Sequence, residues 1–145
     1  MTQPATLTDT TELYTRVQQF YADQMHLLDA GDTERWAATF TEDGVFGGNG
    51  LPAPVRGRGP IATSAGHVAR ELADAGIARR HWLGMLSVHP EPDGTVRASC
   101  YALVLEIPAG GDVRVHRSTA CDDVLVPHGD SWLVRDRYVT ADHIH

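Results

Sequence analysis

Two side chains in this sequence stand where acid/base chemistry would need them. The stretch LLDAGDTERWAATFTEDGVF runs from Leu27 to Phe46. Asp32 suits the start of a helix and Glu34 its first turn, while Glu42 and Asp43 suit a turn before a strand. Asp29 has no such place. It follows Met25 by one turn at the end of an amphipathic run, where the helix macrodipole disfavours an anion by roughly a few tenths of a kcal/mol. A nearby partner would make the placement sensible, and an imidazole is a natural one. The plainer reading is a solvated helix-end residue.

His81 lies in RRHWLGML, residues 79–86. Alternation puts His81, Leu83, Met85 and Ser87 on one face and Trp82, Gly84, Leu86 and Val88 on the other. Both faces are largely apolar, so the strand is expected to be covered on both sides. A histidine at the mouth of such a strand can titrate near neutral pH. On spacing alone, a hydrogen-bonded structural histidine is the commoner case. If the two residues met, the carboxylate would fix the imidazole tautomer and stabilise the imidazolium, leaving the other nitrogen for substrate.

Other candidates carry less. Glu106, near a strand end, is either a second acid/base or a solvated glutamate. Asp122 and Asp123 are adjacent and point to opposite faces; Asp123 is expected to support the sheet or Arg137. Eight histidines raise the question of a metal. No three converge by spacing, and His143-Ile144-His145 reads as a tail, so neither metal nor cofactor is expected. Cys100 and Cys121 are too few for a disulfide framework, and Cys121 reads as a small apolar liner. There is no Gly-x-Gly-x-x-Gly, P-loop or Gly-x-Ser-x-Gly, which removes the usual support for dinucleotide, nucleotide and serine-hydrolase chemistry.

The elements that must position these residues divide the chain in two. Asp9 with Glu12 resembles a capping box. Leu13, Val17, Phe20, Tyr21, Gln24, Met25 and Leu28 then recur at the helical period, and Gly31 suits the helix end. Asp32 opens a second short helix carrying Trp36, Ala37 and Phe40, followed by a short strand, Val45-Phe46. The Gly/Pro-rich stretch from Gly47 to Gly59 reads as a loop. Pro60 opens a third helix ending near Gly76. Beyond it, four apolar stretches separated by turn signals read as an antiparallel meander. Helices followed by a sheet indicate an α+β fold, in which a bent sheet wraps the helices and leaves a conical pocket. If Gly110-Gly111 is a hairpin turn, Cys100 faces Cys121 and Ala102 faces Thr119. If Asp93-Gly94 is the preceding turn, His81 faces Glu106. A bulge would shift either register.

Bulk properties bound the partners. The 145 residues suit one domain, 1–145, and the chain is 42% hydrophobic with mean hydropathy −0.24. No apolar run reaches membrane-spanning length, and MTQPATLTDTTE has neither a basic nor an apolar leader region, so a cytoplasmic location is expected. Net charge is −7, and all twelve basic residues are scattered arginines. That argues against a nucleic-acid surface. The Arg-only, Ala- and Gly-rich composition suggests a GC-rich genome.

One set of markers recurs in order along nearly the whole chain. They are Tyr21, Leu28-Asp29-Ala30-Gly31-Asp32, Trp36, Phe40-Thr41-Glu42-Asp43-Gly44-Val45-Phe46, Arg80-His81, Asp123, Ser131-Trp132 and Arg137. With these the chain resembles the NTF2-like superfamily, in its SnoaL-like branch, which includes relatives of scytalone dehydratase. The resemblance implies three N-terminal helices packed on a strongly curved antiparallel sheet, enclosing a cone. It implies that Asp29 orients His81 as general acid/base. It places Glu106 near a second family histidine, and Thr119 and Cys121 at pocket positions. Tyr21, Met25, Trp36, Phe46 and Met85 are expected to contact substrate with them. Two tyrosines that act through a water in the dehydratase appear here as Leu28 and, approximately, Phe46, which directs the expectation toward other proton transfers.

The leading expectation is therefore a cofactor-free cyclase, dehydratase or isomerase. Its substrate would be a small apolar carbonyl compound of polyketide-type metabolism. The alternative is a non-catalytic NTF2-like binding or dimerisation module, or an accessory subunit, which predicts a filled cone and an Asp29 apart from His81. A homodimer is expected on any reading, because the resemblance implies pairing through the open face of the sheet. Tyr101, Leu103 and Leu105 would then be outward and need cover, whereas a reversed register would line the cone with them.

Overall fold

The computed structural model describes residues 7–144. The first residues of the stretch read as lacking a leader, and His145 of the tail, lie outside them. The elements are α1 (Leu7–Asp29), α2 (Thr33–Ala37), β1 (Phe40–Gly48), β2 (Val55–Arg56), α3 (Arg58–Ala75), β3 (Ile77–Pro90), β4 (Val96–Pro108), β5 (Arg114–His128) and β6 (Ser131–Ala141).

Helical periodicity buries one face of α1 through Val17, Phe20, Tyr21, Gln24 and Met25. Asp9 falls inside the first turn of α1 rather than at its cap. The helix ends on Asp29, and Asp32 caps α2 by accepting from the Arg35 N–H. Phe40 begins β1 instead of closing α2. Gly76 (φ 68°) ends α3 in the left-handed conformation, its N–H donating to the Ala73 carbonyl.

The six strands are ordered β2-β1-β6-β5-β4-β3. The last four form the expected meander. β1, however, pairs parallel to β6, so the sheet is mixed rather than wholly antiparallel. Parallel neighbours need a long crossover, and everything between Gly48 and Ser131 supplies it. β2 lies within the expected Gly/Pro-rich loop and pairs with β1.

Register decides which side chains share the concave face. Cys100 faces Cys121 and Ala102 faces Thr119, as expected, but not through a Gly110-Gly111 turn. The turn is centred on Ala109-Gly110, the Gly111 N–H donating to the Pro108 carbonyl at 3.0 Å. Leu105 therefore faces Val115 and Glu106 faces Arg114, one residue off, and a bulge at His116 restores the expected pairing beyond it. The β3–β4 hairpin departs from its expected register. Glu91 and Thr95 bracket a three-residue turn, the Glu91 N–H donating to the Thr95 carbonyl at 2.9 Å. A bulge between Gly84 and Ser87 adds a second offset. The two one-residue offsets sum to two, so His81 faces Val104 and Arg79 faces Glu106, with the expected faces preserved from Ile77 to Gly84. The bulge also resets alternation beyond it. Met85 (φ 54°) is 79% exposed, while Leu86 and Val88 join Leu83 against the core.

The core lies between the sheet and the helices. Trp36 stacks edge-on against Phe40, with ring centroids 5.1 Å apart, and both rings approach Phe46 at 6.3 Å. Val17, Ile61, Leu125 and Val134 close the remaining space.

Candidate active site

A cavity of about 540 Å³ opens between the concave face of the sheet, the three helices and the segment Gly47–Leu51. Its size suits a small molecule. Met25, Leu28, Trp36, Phe46, Leu83 and Val104 give it mostly apolar walls. Gly48 lets β1 approach β6 closely: a Cβ there would sit 2.5 Å from the Val139 carbonyl oxygen.

Asp29 and His81 meet inside this cavity. Asp29 Oδ1 lies 2.6 Å from His81 Nδ1, and Oδ2 accepts the His81 backbone N–H at 3.1 Å. An ionised carboxylate only accepts, so Nδ1 carries a proton, and in the neutral ring Nε2 is then the nitrogen with the lone pair. No group among the described residues bonds Nε2. Both side chains are largely sheltered, at 16% and 19% exposure. The end of α1 thus delivers a carboxylate to the start of β3, which resolves the odd placement of Asp29. A charged imidazole there would also face the negative end of the α1 dipole.

Behind the cavity floor lies a buried polar network. Arg137 donates to both oxygens of Asp123 at 2.8–2.9 Å and to Gln24 Oε1 at 2.8 Å. The Tyr21 hydroxyl donates to Asp123 Oδ2 at 2.5 Å. Burial and then the adjacent Asp123 push the Tyr21 phenol far above its ordinary range, so it stays protonated. Burial opposes the Arg137 charge, but Asp123 outweighs it and keeps the guanidinium ionised. Contact with Cys100, then burial, pushes the Cys121 thiol well above its ordinary range, so it is no nucleophile.

Glu106 is buried but lies off the cavity. It accepts from Arg79 at 2.8 Å and Arg114 at 3.0 Å, with His116 Nδ1 at 3.5 Å. Burial opposes its charge, yet the hydrogen bonds from Arg79 and Arg114 win and hold its carboxyl below the usual range. Burial, then Arg79, holds His116 below the ordinary histidine value. Both groups bind protons less readily in the native state, so stability falls with falling pH. For Glu106 the stabilisation is complete above the unfolded glutamate pKa of ~4.3 and is lost as pH drops through it toward the lower native value. Glu106→Gln should therefore flatten the acid limb of a Tm-against-pH curve below about pH 5. An acid limb as steep as the wild type's would remove Glu106 from this role.

Most expected contact residues sit where the sequence reading put them. Met25, Trp36, Phe46, Thr119 and Cys121 line the cavity. Three do not. Tyr21 is committed to Asp123, Glu106 to its arginines, and Met85 is turned outward by its bulge. Tyr21 and Met85 instead border a second concavity between α1 and β3. Sequence reasoning missed Arg79, Arg117 and Asn49, which also line the cavity. The signal for Arg117 was its alternation with Thr119 and Cys121. Asn49 anchors its segment by bonding the backbone of Ala141 in both directions.

Known proteins share this architecture. ActVI-ORFA from Streptomyces coelicolor is 36% identical, with a TM-score of 0.85 over 93% of this chain and 98% of that one. Aln2 from another Streptomyces species is 34% identical, with a TM-score of 0.84 over 98% and 96%. A protein from Catenulispora acidiphila, solved in complex with S-DNPA, is 37% identical, with a TM-score of 0.78 over 92% and 96%. No curated protein sequence matches. The SnoaL-like domain matches residues 9–138, which takes in Asp29, His81 and Arg137 alike, and the chain belongs to that family.

Proposed function

We propose that this protein is a cofactor-free general acid/base enzyme, a cyclase, dehydratase or isomerase of a small, mostly apolar carbonyl compound. The observation that carries the reading is the 2.6 Å contact between Asp29 and His81 inside the cavity, with Nε2 open to it. Nε2 would take a proton from a carbon beside the carbonyl or from an attacking hydroxyl. The imidazolium, held by Asp29, would return that proton to the enolate carbon or to a leaving hydroxyl, which departs as water. Such a positioned group contributes typically ~10²–10⁴-fold. The apolar walls exclude water and fold a flexible chain toward ring closure. A non-catalytic module would leave the cone filled and the pair apart, and the open cavity favours the enzyme. SnoaL-like membership directs the substrate search to polyketide-type metabolites.

The test uses a bicyclic ketone small enough for the cavity. Proton exchange at the carbons beside the carbonyl of 2-tetralone, followed by NMR in D₂O, should run faster with the protein than in buffer. Exchange at the buffer rate across a series of such ketones would return the protein to the binding-module reading.

The homodimer belongs to the same proposal. Trp82 and Tyr101 are each 64% exposed on the convex face, beside Leu103 and Val115. An apolar patch of this kind on a monomer is unusual. The protein should sediment at twice its 15.8 kDa chain mass. The double variant Trp82→Glu, Tyr101→Glu should sediment as a monomer with unchanged circular dichroism. A wild-type protein that stays monomeric at high concentration ends the idea.

A further inference from the structure

The ion pairs around the cavity leave one cation over. Alternation from Cys121 and Thr119 places Arg117 on the concave face, and it lines the cavity at the mouth. Register places it more closely. Arg117 faces Val104, and Val104 faces His81, so the three form one row across β5, β4 and β3. Two strand spacings separate the ends of that row, about 10 Å between Cα atoms. A bulge in β5, between the pairs Val104–Arg117 and Leu105–Val115, turns two successive residues inward. His116 goes to Arg79 and Glu106. Arg117 makes no hydrogen bond or ion pair among the described residues; its Nη1 reaches over Gly50, 3.4 Å from where a Cβ would stand.

The neighbouring charges are committed. Arg79 and Arg114 share Glu106, and Arg137 is held by Asp123 and Gln24. Asp29, the carboxylate lining the cavity, has both oxygens bound to His81. The rim therefore sets three arginines against Glu106, in a chain whose net charge is −7. An exposed arginine on a strand is ordinarily a solvated residue. This one stands on the cavity side, in register with the base.

We infer that Arg117 recognises an ionised carboxylate on the substrate, holding it two strand spacings from His81. The guanidinium fork matches a carboxylate bidentately. Anchoring the acid end would determine which carbon of an otherwise apolar molecule meets Nε2. The span suits a fused bicyclic skeleton with a short acid arm. This inference rests on the cavity being the substrate site, but not on His81 moving a proton.

The experiment measures binding of 2-naphthylacetate and of its methyl ester by calorimetry, with the His81 ring resonances followed by NMR. The wild type should prefer the acid by about 10-fold or more, and the acid should shift the His81 resonances. Arg117→Gln should lose that preference while binding the ester unchanged, and Arg117→Lys should keep part of it. His81→Ala should retain the preference, which separates this proposal from the acid/base reading. Loss of ketone exchange in every form with the preference intact would overturn that reading alone. Equal affinity for acid and ester, no binding of the acid, an Arg117→Gln variant that binds the acid as tightly as the wild type, or acid binding that leaves His81 unshifted would overturn this one.

Discussion

His81→Ala should lower the rate of ketone exchange by about 10²–10⁴-fold while leaving the fold unchanged. The side chain sits at the start of β3, and its removal breaks no strand pairing; its polar partner is Asp29. Asp29→Asn should fall comparably for a different reason. The new amide would keep its carbonyl on the His81 backbone N–H and turn its NH₂ toward Nδ1. The ring would then carry its proton on Nε2 and could no longer accept one there. The two variants are distinguishable by ring NMR. Asp29→Asn should keep the His81 resonances with the ring proton moved to Nε2, whereas His81→Ala has no such resonances. A folded His81→Ala protein with the full wild-type rate would sink the pair as the catalytic group.

Asp123→Ala should produce the largest loss of stability. It strips Arg137 of its ionic partner while the guanidinium remains 6% exposed beneath the rings of Phe40 and Tyr21. Removing one member of a buried pair costs about 3–5 kcal/mol. For a domain of this size that lowers Tm on the order of 10 °C. Replacing both members with apolar residues, Asp123→Leu with Arg137→Met, should recover part of the loss, because the uncompensated charge is then gone. Thermal unfolding of the three proteins at pH 7 measures this directly. A single variant within 2 °C of the wild type, roughly half a kcal/mol, would mean the network contributes little.

The contact between Asp29 and His81 was legible because the family resemblance paired them and each also carried a local signal. Asp29 was electrostatically misplaced at a helix end, and His81 was a polar residue in a strand apolar on both faces. The register through Cys100 and Cys121 was legible only by cancellation, because the one-residue offset of a turn centred on Ala109-Gly110 rather than Gly110-Gly111 is undone by the bulge at His116. The β3–β4 register was not, because the Asp93-Gly94 signal does not distinguish a two-residue loop from a three-residue one. Met85 was misassigned because alternation was extended through a bulge, with the adjacent Gly84 read as an ordinary strand position. Tyr21 and Glu106 were placed in the pocket because sequence shows that a side chain faces inward. It does not show that another buried group has already claimed it. The parallel β1–β6 pairing joins segments some ninety residues apart, and no local pattern encodes that.

The Met85 bulge also bears on how the length of this chain can vary. Deleting a residue from a paired strand normally turns every later side chain over. Here Met85 is the supernumerary one: without it, Gly84 and Ser87 would still face outward and Leu86 and Val88 inward. β3 is thus a strand of thirteen positions written in fourteen letters. The hairpin beyond His81 can lose that letter without disturbing the residue it carries. A one-residue gap at this point between two family members is therefore no sign that their sites differ.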